Sequence, residues 1–145
     1  MIKPKFLHVG ITCKDQKKFE AFYTKYFGMK RARTIDLGEG KELIFLKDEN
    51  GFYFEIFPMD EERPIPFSEA DGPHYPGYRH LAFIVDDVDA KLKEMGDEAV
   101  ITLGPLGFDA FINGWRTVWI KDPEGNIVEI SQGYKDEIEI EALSI

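Results

Sequence analysis

The sequence predicts an α+β protein built from two βαβββ modules, and three observations carry that prediction. The stretch "KDENGFYFEI" at 47–56 returns as "KDPEGNIVEI" at 121–130, 74 residues later, with five of ten positions identical. Each copy closes a run in which an alternating strand, an amphipathic helix and further strands follow in the same order, a repeat unit of about 50–55 residues. Between the runs lies "PMDEERPIPFSEADGPHYPGY", with five of the eight prolines, which resists helix and central strand alike. The chain therefore divides into module one (1–57), a connector (58–78), module two (79–132) and a tail (133–145).

Module one opens with "KFLHVGIT", where Leu7, Val9 and Ile11 alternate with Phe6, His8, Gly10 and Thr12, as a strand buried on one face requires. A helix is predicted from about Asp15 to Phe27. Phe19, Phe22, Tyr23 and Tyr26 fall at i, i+3, i+4 and i+7, with Asp15 as N-cap and Gly28 as the closing residue. "KRARTIDL", the turn "GEGK" and "ELIFLK" read as a hairpin, and "DENG" turns the chain into the last strand, "FYFEIF".

Module two repeats the plan. "RHLAFIV" sets Leu81, Phe83 and Val85 against His80, Ala82 and Ile84. "DDVDAKLKEMG" is a short helix with Val88, Leu92 and Met95 as its stripe and Gly96 at its end. "AVITL" and "RTVWIK" supply the middle strands, "DPEG" makes a turn with Pro at its second position, and "NIVEIS" closes the module. The stretch "GPLGFDAFINGWR" (104–116), rich in Gly and aromatics, reads as irregular. The tail "YKDEIEIEALSI" fits a final helix, an edge strand or a frayed end equally well.

Composition bounds the function classes. At 145 residues, with 43% hydrophobic and 14% aromatic side chains, the chain is expected to bury one ordinary globular core without staples. Eighteen basic against twenty-seven acidic residues give a formal charge of −9, which disfavours a nucleic acid or an anionic membrane as the main partner. Cys13 is the single cysteine, so no intrachain disulfide framework demands an oxidising compartment. The start "MIKPKFLHVG" has no apolar run of signal-peptide length, and no stretch approaches the roughly 20 apolar residues of a membrane span. A cytoplasmic location is the expectation.

The repeat also duplicates chemistry. Glu55 lies between Phe54 and Ile56, and Glu129 between Val128 and Ile130, so strand alternation turns each carboxylate away from its apolar neighbours. His8 and His80 stand opposite the apolar sets of their own strands. The separations are 47 residues from His8 to Glu55 and 49 from His80 to Glu129. Carboxylates in half-enclosed strands are costly unless paired, and no Lys or Arg repeats in register to neutralise both. Two imidazoles and two carboxylates around one divalent cation would remove that cost, and this donor set suits Ni, Zn, Co, Mn or Fe(II). His74, in the connector, has no counterpart in module one and reads as a surface residue.

With "FLHVGIT", "FYTKYFGMKRART", "YRHLAFIVDDVDA" and "KDPEGNIVEI" in view, the chain resembles the vicinal-oxygen-chelate superfamily, which joins glyoxalase I, bleomycin resistance proteins and extradiol dioxygenases. Within it the pattern is most similar to the glyoxalase I branch. The resemblance covers about 130 residues, omits the tail, and makes 1–145 one domain of that type. It implies curved mixed sheets whose modules pair into a half-barrel around a metal site, in one chain or exchanged across a homodimer. It implies His8, Glu55, His80 and Glu129 as metal ligands. Glutathione-using members usually carry Arg four residues after the first His and Asn four after the first Glu, where this chain has Thr12 and Met59. Fold and metal set thus carry over; glutathione does not.

The reaction so implied is metal-assisted proton transfer next to a carbonyl, on a small 2-oxo compound or its thiol adduct, as lyase or isomerase chemistry. Glu129 is the expected base, with Glu55 as its partner on the opposite side. Phe108, Phe111 and Trp115 are candidates for an apolar lid over the substrate; core or dimer-interface roles compete with that reading. Two alternatives remain. An extradiol Fe(II) dioxygenase uses two imidazoles and one carboxylate, so a second glutamate argues against it. A metal-free drug- or metabolite-binding protein of the bleomycin-resistance type has no need of four aligned ligands.

Overall fold

Helix formation in module one follows the local sequence closely. In this computed structural model, which describes residues 1–137, α1 spans Gln16–Phe27. The Asp15 carboxylate accepts from the Lys18 backbone N–H, and Gly28 closes the helix in the left-handed region, where a side chain would be strained. The buried residues of α1 are Phe19, Phe22, Tyr23 and Tyr26, the four that the spacing selects.

Around α1 the strands are β1 (His8–Cys13), β2 (Lys30–Gly38), β3 (Lys41–Lys47) and β4 (Tyr53–Pro58). They form one mixed sheet in the order β1-β4-β3-β2, with β1 parallel to β4 and the other pairs antiparallel. Module two supplies β5 (Leu81–Ile84), α2 (Val88–Met95), β6 (Val100–Gly107), β7 (Arg116–Lys121) and β8 (Ile127–Gln132). Its sheet runs β5-β8-β7-β6 with the same sense at every pair. Asp87 caps α2 through the Ala90 backbone N–H, and Gln132 Oε1 accepts from Val88 N at 2.6 Å, fastening the helix start to β8. The protein is thus α+β, with two similar modules and two open four-stranded mixed sheets.

Two compact units emerge, Met1–Phe67 with Asp122–Gly125, and Ser68–Lys121 with Asn126 onward. The turn at Asp122–Gly125, from the second repeat, therefore belongs to the first unit. Its carboxylates explain why. Glu124 accepts from the backbone N–H groups of Lys14 and Asp15, both at 2.8 Å, and the Tyr23 hydroxyl donates to Asp122 Oδ2 at 2.9 Å. Asp48, the equivalent aspartate in module one, only closes its own turn, accepting from the Asn50 and Phe52 amides.

Three details depart from the sequence reading. β1 starts at His8, and Phe6 and Leu7 are exposed, so Cys13 rather than Leu7 is the fully buried residue of that strand. His80 stands one residue before β5 rather than inside it. β6 runs on to Gly107, with irregular pairing between Leu103 and Leu106, so 104–107 is strand and the irregular stretch is shorter than predicted. Pro105 is tolerated there because β6 is a sheet edge, where a missing N–H leaves no partner unpaired. Of the tail, 138–145 lies outside the described residues. Among the described residues no helix is long and apolar enough to cross a membrane.

Burial, followed by the charge of Asp122 and its hydrogen bond, holds the Tyr23 phenol well above its ordinary value. Burial first, then Glu124, Asp122 and Asp15, also pushes the Cys13 thiol up. A group with a raised pKa in the folded state stabilises fully below its unfolded value and loses that contribution as pH rises. Stability is therefore expected to fall above about pH 9–10, the ordinary range of these two groups. Tyr23→Phe, leaving Asp122 short of a donor, should cost about 1–3 kcal/mol at neutral pH and flatten the alkaline decline. Urea unfolding across a pH series measures both.

Candidate metal centre

Register places the two glutamates identically. Glu55 on β4 pairs with Gly10 on β1 and Phe45 on β3, while Glu129 on β8 pairs with Ala82 on β5 and Trp119 on β7. A small residue on one side leaves each carboxylate room on its own face, and a Cβ built on Gly10 would approach Glu55 Oε1 only to 4.0 Å. Their neighbours Phe54, Ile56, Val128 and Ile130 are all fully buried on the opposite face, as alternation requires.

Each carboxylate meets the imidazole of its own module. His8 Nε2 lies 3.5 Å from Glu55 Oε2, and His80 Nε2 lies 2.9 Å from Glu129 Oε2. The side chains keep 29% and 26% exposure in the first pair, and 19% and 15% in the second, so both remain reachable from solvent. An aromatic ring stands edge-on to each imidazole: Phe45 at 6.2 Å from His8 and Trp119 at 6.4 Å from His80. The predicted ligands thus come together as two pairs. Among the described residues no three His, Cys, Asp or Glu side chains form a cluster that could hold a metal ion.

The pairs differ behind the imidazole. His80 Nδ1 is 2.7 Å from Asp71 Oδ1, and Arg79 donates to the same carboxylate through Nε at 3.3 Å and Nη2 at 2.7 Å. Burial opposes the charge on Asp71, yet the hydrogen bonds from Arg79 and His80 outweigh it and hold the carboxyl below its usual range. His8 Nδ1, by contrast, is buried without a hydrogen-bond partner, as is Trp119 Nε1.

Each pair has the donor chemistry that a divalent cation takes. With the His80 proton on Nδ1, facing Asp71, the Nε2 lone pair confronts an anionic oxygen at 2.9 Å, a contact that needs a proton or a cation between the two. Imidazole nitrogen with carboxylate oxygen is a common donor set of first-row divalent metals, and a carboxylate behind the imidazole is the usual support for such a ligand.

Beside Glu129 a cleft of about 280 Å³ is lined by Ala82, Phe83, Ile84, Trp115, Ser131 and Tyr134. Trp115 Nε1 donates to Ser131 Oγ at 3.1 Å, and its ring contacts Phe108 and Tyr134. Of the three predicted lid aromatics, only Trp115 reaches this cleft; Phe108 packs behind it and Phe111 is 80% exposed. His74 is exposed, as expected.

Sequence reasoning missed Phe45, Trp119, Arg79 and Asp71. The first two had a signal, since "FLKD" and "WIKD" place an aromatic two residues before the repeated Lys-Asp. Asp71 had none, because the connector has no copy in module one.

Two matching mixed sheets, each presenting one imidazole–carboxylate pair, define a twofold-repeated βαβββ protein. The family profile of the Glyoxalase/Bleomycin resistance protein/Dioxygenase superfamily matches residues 5–130, and the chain belongs to that superfamily. It is 30% identical to a lactoylglutathione lyase of Pseudomonas aeruginosa, over 88% of this chain and 81% of that protein. A solved glyoxalase family protein of Enterococcus faecalis matches with TM-score 0.62 and 28% identity, over 88% of this chain and 96% of the other. The fold is also shared with a glyoxalase/dioxygenase of Nostoc punctiforme, at TM-score 0.69 and 20% identity, over 93% and 97% of the two chains.

Proposed function

We propose that the protein is a glyoxalase-like, divalent-metal-dependent lyase or isomerase that moves a proton at the carbon next to a carbonyl. Its substrate is a small 2-oxo compound or the adduct of one with a thiol. The observation that carries this reading is the recurrence of one His–Glu pair at equivalent strand positions of both sheets. His8, Glu55, His80 and Glu129 would hold one Ni, Zn, Co, Mn or Fe ion, within one chain or with pairs exchanged between two. When bound, such an ion supplies Lewis acidity toward two vicinal substrate oxygens.

Glu129 takes the proton and returns it. Its cleft, with Trp115, Tyr134 and Phe83, excludes water from one side of the reacting carbon and receives the apolar part of the substrate. Glu55 is the corresponding group on the opposite side. His80, held from behind by Asp71, keeps its Nε2 on Glu129.

The reading includes a cytoplasmic homodimer. One buried cysteine needs no oxidising compartment. The exposed Ile35 and Leu37 on edge strand β2, with Val100 and Ile101 on β6, offer apolar surface for a second copy to cover. Titrating the metal-free protein with Ni, Co, Zn and Mn, then assaying hemithioacetal isomerisation with several thiols, tests the whole. Uptake of one cation per site, with isomerisation by the loaded protein, is expected. No uptake of any of them would favour a sequestering protein, and catechol cleavage after anaerobic Fe(II) loading would favour a dioxygenase.

A further inference from the structure

We propose that Asp71, contributed by the Pro-rich connector, is a positioning residue that keeps the ring proton of His80 on Nδ1 and so presents Nε2 toward Glu129. Three observations converge on it. The Asp71 side chain is only 4% exposed, in a segment whose neighbours are mostly exposed, so its carboxylate is built into the fold. Its Oδ1 lies 2.7 Å from His80 Nδ1, the shortest geometry an ordinary N–H···O bond takes. Arg79, next in sequence to His80, grips the same carboxylate through two nitrogens and fixes its plane.

A carboxylate can only accept, so His80 Nδ1 must donate. Nε2 is thereby turned toward Glu129 Oε2 at 2.9 Å, a contact that needs a second proton on the ring or a cation between the two. Without Asp71 the Nδ1 side of the ring has lost its acceptor, and only the Glu129 contact still orients it. Module one shows what that state looks like: His8 Nδ1 has no partner and its Nε2 stands 3.5 Å from Glu55, against 2.9 Å in module two. The connector has therefore made the duplicated halves unequal, and module two is the pre-organised half. Extended to the cation, which rests on the function proposed above, the inference is that Asp71 strengthens metal binding without touching the metal.

The test uses the metal-free full chain and three variants: Asp71→Ala, Asp71→Asn and, for resonance assignment, His80→Gln. Long-range ¹H–¹⁵N correlation of the histidine rings reads directly which ring nitrogens carry a proton. Expected is a proton on His80 Nδ1 in the parent, loss of that preference in Asp71→Ala, and its retention in Asp71→Asn, whose amide oxygen still accepts. Zinc affinity by calorimetry should fall about 10–100-fold in Asp71→Ala and by less in Asp71→Asn. His80 keeping its Nδ1 proton in Asp71→Ala, or the two variants behaving alike while both remain folded by circular dichroism, would overturn the proposal. A parent protein that takes up no zinc yet holds the Nδ1 proton and loses it in Asp71→Ala would overturn the metal-dependent function and leave the role of Asp71 standing.

Discussion

Glu129→Gln should lower turnover of the metal-loaded protein by about 10²–10⁴-fold, the usual worth of a positioned general base, while leaving the thermal midpoint nearly unchanged. The side chain sits at 15% exposure at the mouth of its cleft, with fully buried Val128 and Ile130 on the other face doing the packing. Glutamine keeps shape and hydrogen-bonding capacity but cannot accept a proton at neutral pH. Glu55→Gln is the natural control, because the equivalent carboxylate in module one is given the partner's role rather than the principal one. Steady-state kinetics on a hemithioacetal substrate, with metal content measured in each variant, separates a lost base from a lost ligand. Full activity in Glu129→Gln would remove that residue from the chemistry.

The largest stability effect is expected one residue from the other glutamate. Phe54 is fully buried, and its ring meets Phe19 at 5.2 Å, Tyr23 at 4.8 Å and Phe52 at 5.0 Å. Phe54→Ala should cost about 3–5 kcal/mol, combining lost transfer energy with a cavity among close-packed rings. The urea midpoint should drop while the slope stays constant. Because Phe54 and Glu55 face opposite ways on β4, the variant should retain its His8–Glu55 pair at temperatures where it is still folded. A change below 1 kcal/mol would mean that the aromatic cluster collapses freely around the gap.

How much of this was legible beforehand depends on the range of the interaction. The α1 stripe, its caps and the repeated strand carrying Glu55 and Glu129 are written within a few residues of themselves, and they read correctly. That each module offers one imidazole and one carboxylate followed from the duplication; the sequence reading set all four around one cation, and their association as two His–Glu pairs is what the structure adds. What the duplication did not copy stayed hidden. The Asp71 contact to His80 and the Tyr23 contact to Asp122 each exist in one half only, the latter across 99 positions of sequence. The extra length of β6 was masked by Gly104 and Pro105, which stop strands in the middle of a sheet but not at its edge.

The turn at Asp122–Gly125 has a consequence for cutting the gene. Severed within the connector, the chain would yield an N-terminal fragment in which the Lys14 and Asp15 amides and the Tyr23 hydroxyl lose the acceptors seen here. The C-terminal fragment would expose those same carboxylates to solvent. The dependence runs one way: a stretch carried in the second repeat completes the first unit, so an N-terminal half expressed alone should gain stability when the other half is mixed in.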